Sequence, residues 1–293
     1  MFFELSVIIV NYNTFDLTRA CVRSIKEQYK GMAEVIIVDN ASTDKDIEIL
    51  KHEFDTLKVI RNHQNIGFAK ANNLGIEAAS GKFVVLLNSD TELLNDAFSI
   101  CLNALQKDPQ IGVVTAQLLF PDNMIQHNCQ SFPHLTNEVL EITRLHKFLP
   151  KKIRAQRLLG SFFDHNKSSY VEWVWGTFFL FRKSDLSRLN SGRLDERFFM
   201  YGEDMEWCYQ FREAGLKCYY CADAKVKHYL SASNFGDSEH KMRTIITNEI
   251  STVKKYKGRF YTSTLILLRR LKYFLLSFRN RAYSRTGKLY AEL

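Results

Sequence analysis

Three short polar clusters hold most of the chemistry near the start of this chain, and each follows an apolar run. Ser6–Val10 (SVIIV) leads into Asn11-Tyr12-Asn13, Glu34–Asp39 (EVIIVD) into Asn40-Ala41-Ser42-Thr43-Asp44, and Phe83–Leu87 (FVVLL) into Asn88-Ser89-Asp90. Asn, Asp and Ser favour turns and caps, so one such cluster is ordinary turn chemistry. Three of them behind successive buried-strand patterns describe a site. Asp90 offers a carboxylate oxygen suited to Mg²⁺ or Mn²⁺, ions that sit on one or two carboxylates plus substrate phosphates. Asp39 can accept hydrogen bonds from a base or ribose. The sequence has no GxGxxG or GxxxxGK[ST] loop, so a diphosphate bound here has to be neutralised mainly by a cation.

A fourth cluster, Phe198-Phe199-Met200-Tyr201-Gly202-Glu203-Asp204, puts two acids in the first turn of a helical pattern. The helix dipole favours acids there and favours their ionised form. An ionised Asp204 within reach of a hydroxyl is a candidate general base. His228 ends the alternating segment Lys217–Lys227 and reads, taken alone, as a surface or core histidine. Cys218 and Cys221 have no second CxxC or paired His, so they belong to a strand rather than to a zinc site.

These clusters need elements to carry them. The first 120 residues alternate strand and helix. Strand patterns run over Ser6–Val10, Glu34–Asp39, Leu57–Arg61, Phe83–Leu87 and Ile111–Leu119. Helical patterns follow an Asn13 cap and cover Gly67–Ala79 and Leu93–Gln106. Such alternation predicts an α/β fold with a mostly parallel sheet, whose ligands bind beyond the carboxyl ends of the strands. From about Pro121 the pattern loosens, with His127, His134, His146 and His165 scattered through it. It tightens again at the aromatic run Val171–Phe181 and at a helix from Glu203 to Ala214, with Trp207, Cys208 and Phe211 on one stripe. The expected division is 1–120 for one half of a domain, 121–235 for the other half of the same domain, and 236–293 for a tail.

The chain has 293 residues, 46% apolar and 25% charged, a globular composition. Its net charge is +8, and residues 251–293 hold eleven Lys/Arg against the single acid Glu292. The body is thus near neutral, which argues against nucleic-acid binding, and the tail is basic. Leu267, Leu268, Leu271, Phe274, Leu275 and Phe278 form one apolar stripe, and Arg269, Arg270, Lys272 and Arg279 fall on the remaining arc. That pairing suits an anionic membrane surface. Six scattered cysteines, no signal-peptide pattern and no run of about 18 apolar residues lead to the expectation of a cytoplasmic chain, peripheral on the inner face of the membrane.

From Ser6 to about Ser233 the sequence resembles the family 2 inverting glycosyltransferases of GT-A fold, and most closely their bacterial rhamnosyltransferase-like branch. The landmarks are SVIIVNYN (6–13), VIIVDNASTD (35–44), Asn65 with Gly67–Asn73, LLNSD (86–90), Trp173–Gly176 and FFMYGEDMEWC (198–208). The resemblance implies roles. Asn11, Tyr12 and Asp39 hold the nucleotide, with Asn65, Gly67 and Asn72 near it. Asp90 is the remaining acid of a DxD metal motif, read here as Asn88-Ser89-Asp90, and His228 completes the site for Mn²⁺ or Mg²⁺. Asp204, with Glu203 beside it, is the catalytic base, and Trp175 and Gly176 line the acceptor side. The implied reaction moves a sugar, rhamnose by first choice, from a nucleotide-diphosphate donor to a hydroxyl of a glycan or polyprenyl-linked glycan in cell-surface polysaccharide synthesis. Two alternatives are a sugar-nucleotide pyrophosphorylase, which calls for a Gly-rich basic loop after the first strand, and a non-catalytic carbohydrate-binding protein, which would be expected to lack Asp90 or Asp204.

Overall fold

The computed structural model describes residues 3–54, 57–230, 238–280 and 282–293. Ser233, where the resemblance ends, and Arg281, one of the tail cations, lie outside the described residues. In chain order the elements are β1 (Leu5–Asn11), α1 (Phe15–Gln28), β2 (Ala33–Asp39), β3 (Leu57–Arg61), α2 (Phe68–Ala78), β4 (Phe83–Asn88), β5 (Thr91–Leu93), α3 (Ala97–Lys107), β6 (Ile111–Leu119) and β7 (Cys129–Gln130). Then come α4 (Leu135–Ile142), α5 (Lys151–Leu158), β8 (Ser169–Val171), β9 (Trp173–Val174), β10 (Phe178–Arg182), α6 (Glu203–Glu213), β11 (Lys217–His228), α7 (Ser238–Ser277) and α8 (Ala282–Ala291). They form two compact units, Met1–Cys129 with His165–Ser233, and Gln130–Asp164 with Asn234–Leu293.

The first unit is a mostly parallel sheet flanked by helices, with strand order β3-β2-β1-β4-β10-β6-β11-β5 and β8 paired to β11. The pairs β1/β2, β1/β4, β2/β3 and β6/β11 are parallel; β10 lies antiparallel between β4 and β6, and β5 antiparallel on β11. Continuous β-branched runs suit strands covered on both faces, and Val7, Ile8, Ile9, Ile36, Ile37 and Val38 are fully buried. Each such side chain contributes roughly 1.5–3 kcal/mol. The helices pack apolar faces on the sheet, α1 through Phe15, Cys21, Val22 and Ile25 and α3 through Phe98, Cys101, Leu102 and Leu105. The six cysteines are all free and buried, and Cys218 and Cys221 lie in β11.

Two element starts differ from the sequence expectation. Asn13 does not cap α1: it takes a left-handed backbone (φ 55°), and its Oδ1 accepts from Thr43 N at 2.7 Å. Thr14 occupies the cap position and Asp44 Oδ2 accepts from Phe15 N at 2.9 Å, so the cap comes from the next strand end. Helix α3 begins at Ala97, not Leu93, because 91–93 pair with β11 and Asp96 caps Ser99 N.

The second unit is helical. The segment named α7 is two helices meeting at Gly258, whose φ of 81° belongs to the region that glycine alone enters freely. Ile246, Ile250, Val253, Leu265, Leu289 and Tyr290 form its core. Arg269 and Lys272 correct the sequence reading, which set them on a cationic outer arc. Arg269 Nε bonds Glu138 Oε1 at 2.8 Å, its guanidinium also meets Glu249 and Tyr290 Oη, and Lys272 Nζ bonds Glu138 Oε2 at 3.0 Å. Burial opposes the Arg269 charge, but Glu249, Tyr290 and Glu138 together more than offset it and hold the guanidinium well above its usual pKa. A helical wheel finds the arc; it does not reveal that two acids more than a hundred residues upstream and twenty residues upstream face it.

Candidate active site

Strand register brings the polar clusters together. Asn11 stands beside Asp39, and Val10 beside Asn88, at the carboxyl ends of β1, β2 and β4. Asn11 is completely buried and donates from Nδ2 to Asp39 Oδ1 (2.8 Å) and Ser42 Oγ (2.9 Å). Its Oδ1 lies 2.9 Å from Thr14 Oγ1 and 2.8 Å from Thr18 Oγ1. Thr14 Oγ1 is also 3.0 Å from Ser89 Oγ. One chain of hydrogen bonds therefore links the ends of β2, β1 and β4. Tyr12, next along, is 40% exposed and free to face a ligand.

Asp90 and His228 meet where β5 pairs with β11. The register sets His228 against Thr91, Tyr229 N donates to Asp90 O (3.0 Å), and His228 Nε2 lies 3.3 Å from Asp90 Oδ1. Gln126 fixes the imidazole. Its Nε2 donates to His228 O at 2.7 Å and its Oε1 faces His228 Nδ1 at 2.8 Å, so Nδ1 carries a proton. That leaves Nε2 aimed at Asp90, with Asn88 Nδ2 3.5 Å away and Asn88 Oδ1 buried without a partner. A ring nitrogen, a carboxylate oxygen and an unpartnered amide oxygen fit a divalent cation whose remaining ligands come from phosphate and water. Among the described residues no group of three His, Cys, Asp or Glu could hold a metal ion alone.

Asp204 joins this neighbourhood through the 176–177 backbone. Its Oδ2 accepts from Gly176 N (3.0 Å), its Oδ1 from Met205 N (2.8 Å), and Thr177 O accepts from Asn88 N (3.0 Å). Helix α6 holds the position by burying Trp207 and Phe211 on β10, with the Trp207 ring stacked 5.2 Å from Phe179. From the other side, Gly67 (φ 85°) lies under Phe199: a Cβ on Gly67 would be 2.6 Å from Phe199 O, and Phe68 N donates to that carbonyl at 2.7 Å. The loop opening α2 is thereby tied to the segment that leads to Asp204.

The two acids differ in environment. Glu203 is buried, its Oε2 has no partner, and burial, with the Asp204 charge second, pushes it up to about 8. Burial also raises Asp204, against the N–H groups of Gly176 and Met205. The sequence reading expected the helix end to keep Asp204 ionised; desolvation acts in the opposite direction and brings its proton affinity closer to neutral pH, where a base is most effective.

The Glycosyl transferase family 2 model matches residues 6–189. The chain belongs to this family. It is 33% identical over 120 residues to the uncharacterized glycosyltransferase YibD of Escherichia coli K12, covering 40% of this chain and 35% of that protein. It is 24% identical over 249 residues to the N-acetylglucosaminyl-diphospho-decaprenol L-rhamnosyltransferase of Mycobacterium tuberculosis H37Rv, covering 80% of this chain and 78% of that protein. The chain spans about a third or less of the first curated relatives it matches. A crystal structure of GalNAc-T7 with UDP, GalNAc and Mn²⁺ superposes with a TM-score of 0.61 at 16% identity, covering 84% of this chain and 47% of that one. That likeness gives the GT-A glycosyltransferase fold.

Within this family 2 chain, the structure brings Asp39, Asp90, Asp204, His228 and Gly176 into one bonded neighbourhood, while Glu203 adjoins it only as the chain neighbour of Asp204. Asn11 belongs to it as well, but all its polar groups bond within the protein, so it positions Asp39. Asn65 Oδ1 accepts from Asn40 Nδ2 and Gly67 N and shapes the loop. Asn72 is buried in α2 and donates to Phe68 O. Trp175 is packed partly against the core, and its N donates to Asn128 O. The sequence reading missed Gln126, Thr14 and Thr18. Gln126 gave no signal, because it lies in the irregular stretch and is 102 residues from its partner.

Proposed function

We propose that this chain is an inverting, metal-dependent glycosyltransferase. It moves a hexosyl group, rhamnose by first choice, from a nucleotide-diphosphate sugar to a hydroxyl of a glycan or polyprenyl-linked glycan in cell-surface polysaccharide synthesis. The observation that carries this reading is the bonded path from Asp204 through Gly176, Thr177 and Asn88 to His228 and Asp90. That path supports reading Asp204 as the base and the Asp90–His228 pair as the diphosphate side of one site. The match to a rhamnosyltransferase supports the choice of donor sugar.

Asp204 accepts the acceptor hydroxyl proton as that oxygen forms its bond to the anomeric carbon. The bond from that carbon to the diphosphate oxygen breaks on the opposite side, and the configuration inverts. Tyr12 and Asp39 hold the nucleoside. Asp90, His228 and Asn88 would hold a divalent cation, which when bound would supply positive charge to the leaving diphosphate. The basic tail keeps the enzyme peripheral on the inner, cytoplasmic face of an anionic membrane.

The test is a panel of nucleotide-sugars with Mn²⁺, scored for donor hydrolysis and for donor affinity. A positioned base contributes about 10²–10⁴-fold, so Asp204→Asn should lose turnover by that factor and keep donor affinity. Asp90→Ala should lose the affinity that EDTA removes. Normal turnover in the first variant, or EDTA-insensitive binding of the wild type, would overturn the assignments.

A further inference from the structure

The second helical segment of α7 carries an apolar stripe that the second unit does not cover. Phe260 is 88% exposed, Leu267 64%, Phe274 59% and Phe278, just past the helix end, 75%. With exposed Leu271 and Leu275 they fall within roughly 100° of helix surface at ~100° per residue. The opposite side is spoken for: Leu265 is fully buried, and Arg269 and Lys272 turn toward Glu138, Glu141 and Glu249. Exposed Arg259 and Arg270 border one edge of the stripe and Arg279 the other. From Arg259 to Ala291 the sequence contains no Asp or Glu. A second patch of the same chemistry lies in the same unit, where Phe148, 85% exposed, is next in sequence to Lys147 and close to Lys151 and Lys152.

We infer that residues 259–279 lie in the interface of an anionic lipid surface, with Phe260, Leu267, Phe274 and Phe278 among the acyl chains and Arg259, Arg270 and Arg279 at the phosphates. The ligand must combine apolar depth with negative charge, and acidic phospholipid provides both. A second copy of the chain does not, because pairing two such faces sets arginine against arginine. No helix among the described residues is long and apolar enough to cross a membrane, so the contact is one of lying on the surface. The inference deepens the membrane partner proposed above and rests on that part of the reading alone.

The full chain is sedimented with vesicles of phosphatidylcholine, alone or with phosphatidylglycerol, in the absence of any sugar nucleotide. A failure here therefore leaves the catalytic reading untouched. Binding is expected only to the acidic vesicles and to weaken as salt rises. Leu267→Ser with Phe274→Ser and Phe278→Ser should weaken it at least tenfold, and so should Arg259→Gln with Arg270→Gln and Arg279→Gln. All six residues are exposed, so the thermal midpoint should hold in both variants and thereby establish that they are folded. Equal binding by the apolar variant, no binding by the wild type, or a concentration-dependent dimer that the apolar variant abolishes would each overturn the inference.

Discussion

Glu203→Gln tests the electrostatics of the site without removing a proposed catalytic atom. In the fold the Glu203 carboxyl is raised from 4.5 to about 8 by burial first and by Asp204 second. A folded pKa above the unfolded one gives stability that is full below 4.5 and is lost as pH rises through about 8. At about 1.4 kcal/mol per pH unit, the whole span is worth about 5 kcal/mol, and roughly 3 kcal/mol of it disappears between pH 4 and pH 7. Glutamine is neutral throughout and copies the protonated acid, so the variant should lose that slope. Its buried amide brings a desolvation cost of about 1–3 kcal/mol, which offsets its stability at every pH equally. The readout is therefore the difference in slope. Urea midpoints at pH 5, 6, 7 and 8, with unchanged m, should fall in the wild type relative to the variant. Parallel curves for the two proteins would refute the reasoning and mean that Glu203 ionises in the fold as easily as in the unfolded chain.

Two further substitutions probe the scaffold. Gly67→Ala adds a Cβ to a left-handed backbone 2.6 Å from Phe199 O. The conformation alone costs about 1–2 kcal/mol, and the displaced 199–202 segment should lower turnover more than donor affinity, read by urea midpoint and steady-state kinetics. Arg269→Gln removes the cation shared by Glu138 and Glu249 and leaves Lys272 as the remaining cation on Glu138, a loss of about 3–5 kcal/mol for a broken buried pair. Its thermal midpoint should drop while vesicle binding at low temperature stays, since Arg269 faces inward.

Much of the first unit was legible because its strands are continuous β-branched runs, and Leu57–Arg61 and Ile111–Leu119 have the bounds the pattern predicts. Direction was not legible. The aromatic run around Phe178–Arg182 buries almost every side chain, so no periodicity reveals that β10 runs antiparallel between β4 and β6. The acids at the strand ends could be read as a group since each closes an apolar run. Their supports could not, because Gln126, Thr14 and the Phe199 carbonyl act across distant stretches of chain. The tail illustrates the same limit: residue types and a helical wheel found the apolar stripe, whereas the partners of Arg269 and Lys272 needed the fold.

The bond chain through Thr14 has a consequence for how the two ends of the site communicate. A threonine hydroxyl has one proton, and Thr14 has two acceptors within 3.0 Å, Asn11 Oδ1 and Ser89 Oγ. When that proton points at Asn11, Ser89 must spend its own on Thr14. When it points at Ser89, Thr18 still serves Asn11 and the serine proton is not needed by Thr14. One rotatable hydroxyl thus joins the strand end that carries Asp39 to the strand end that leads to Asp90.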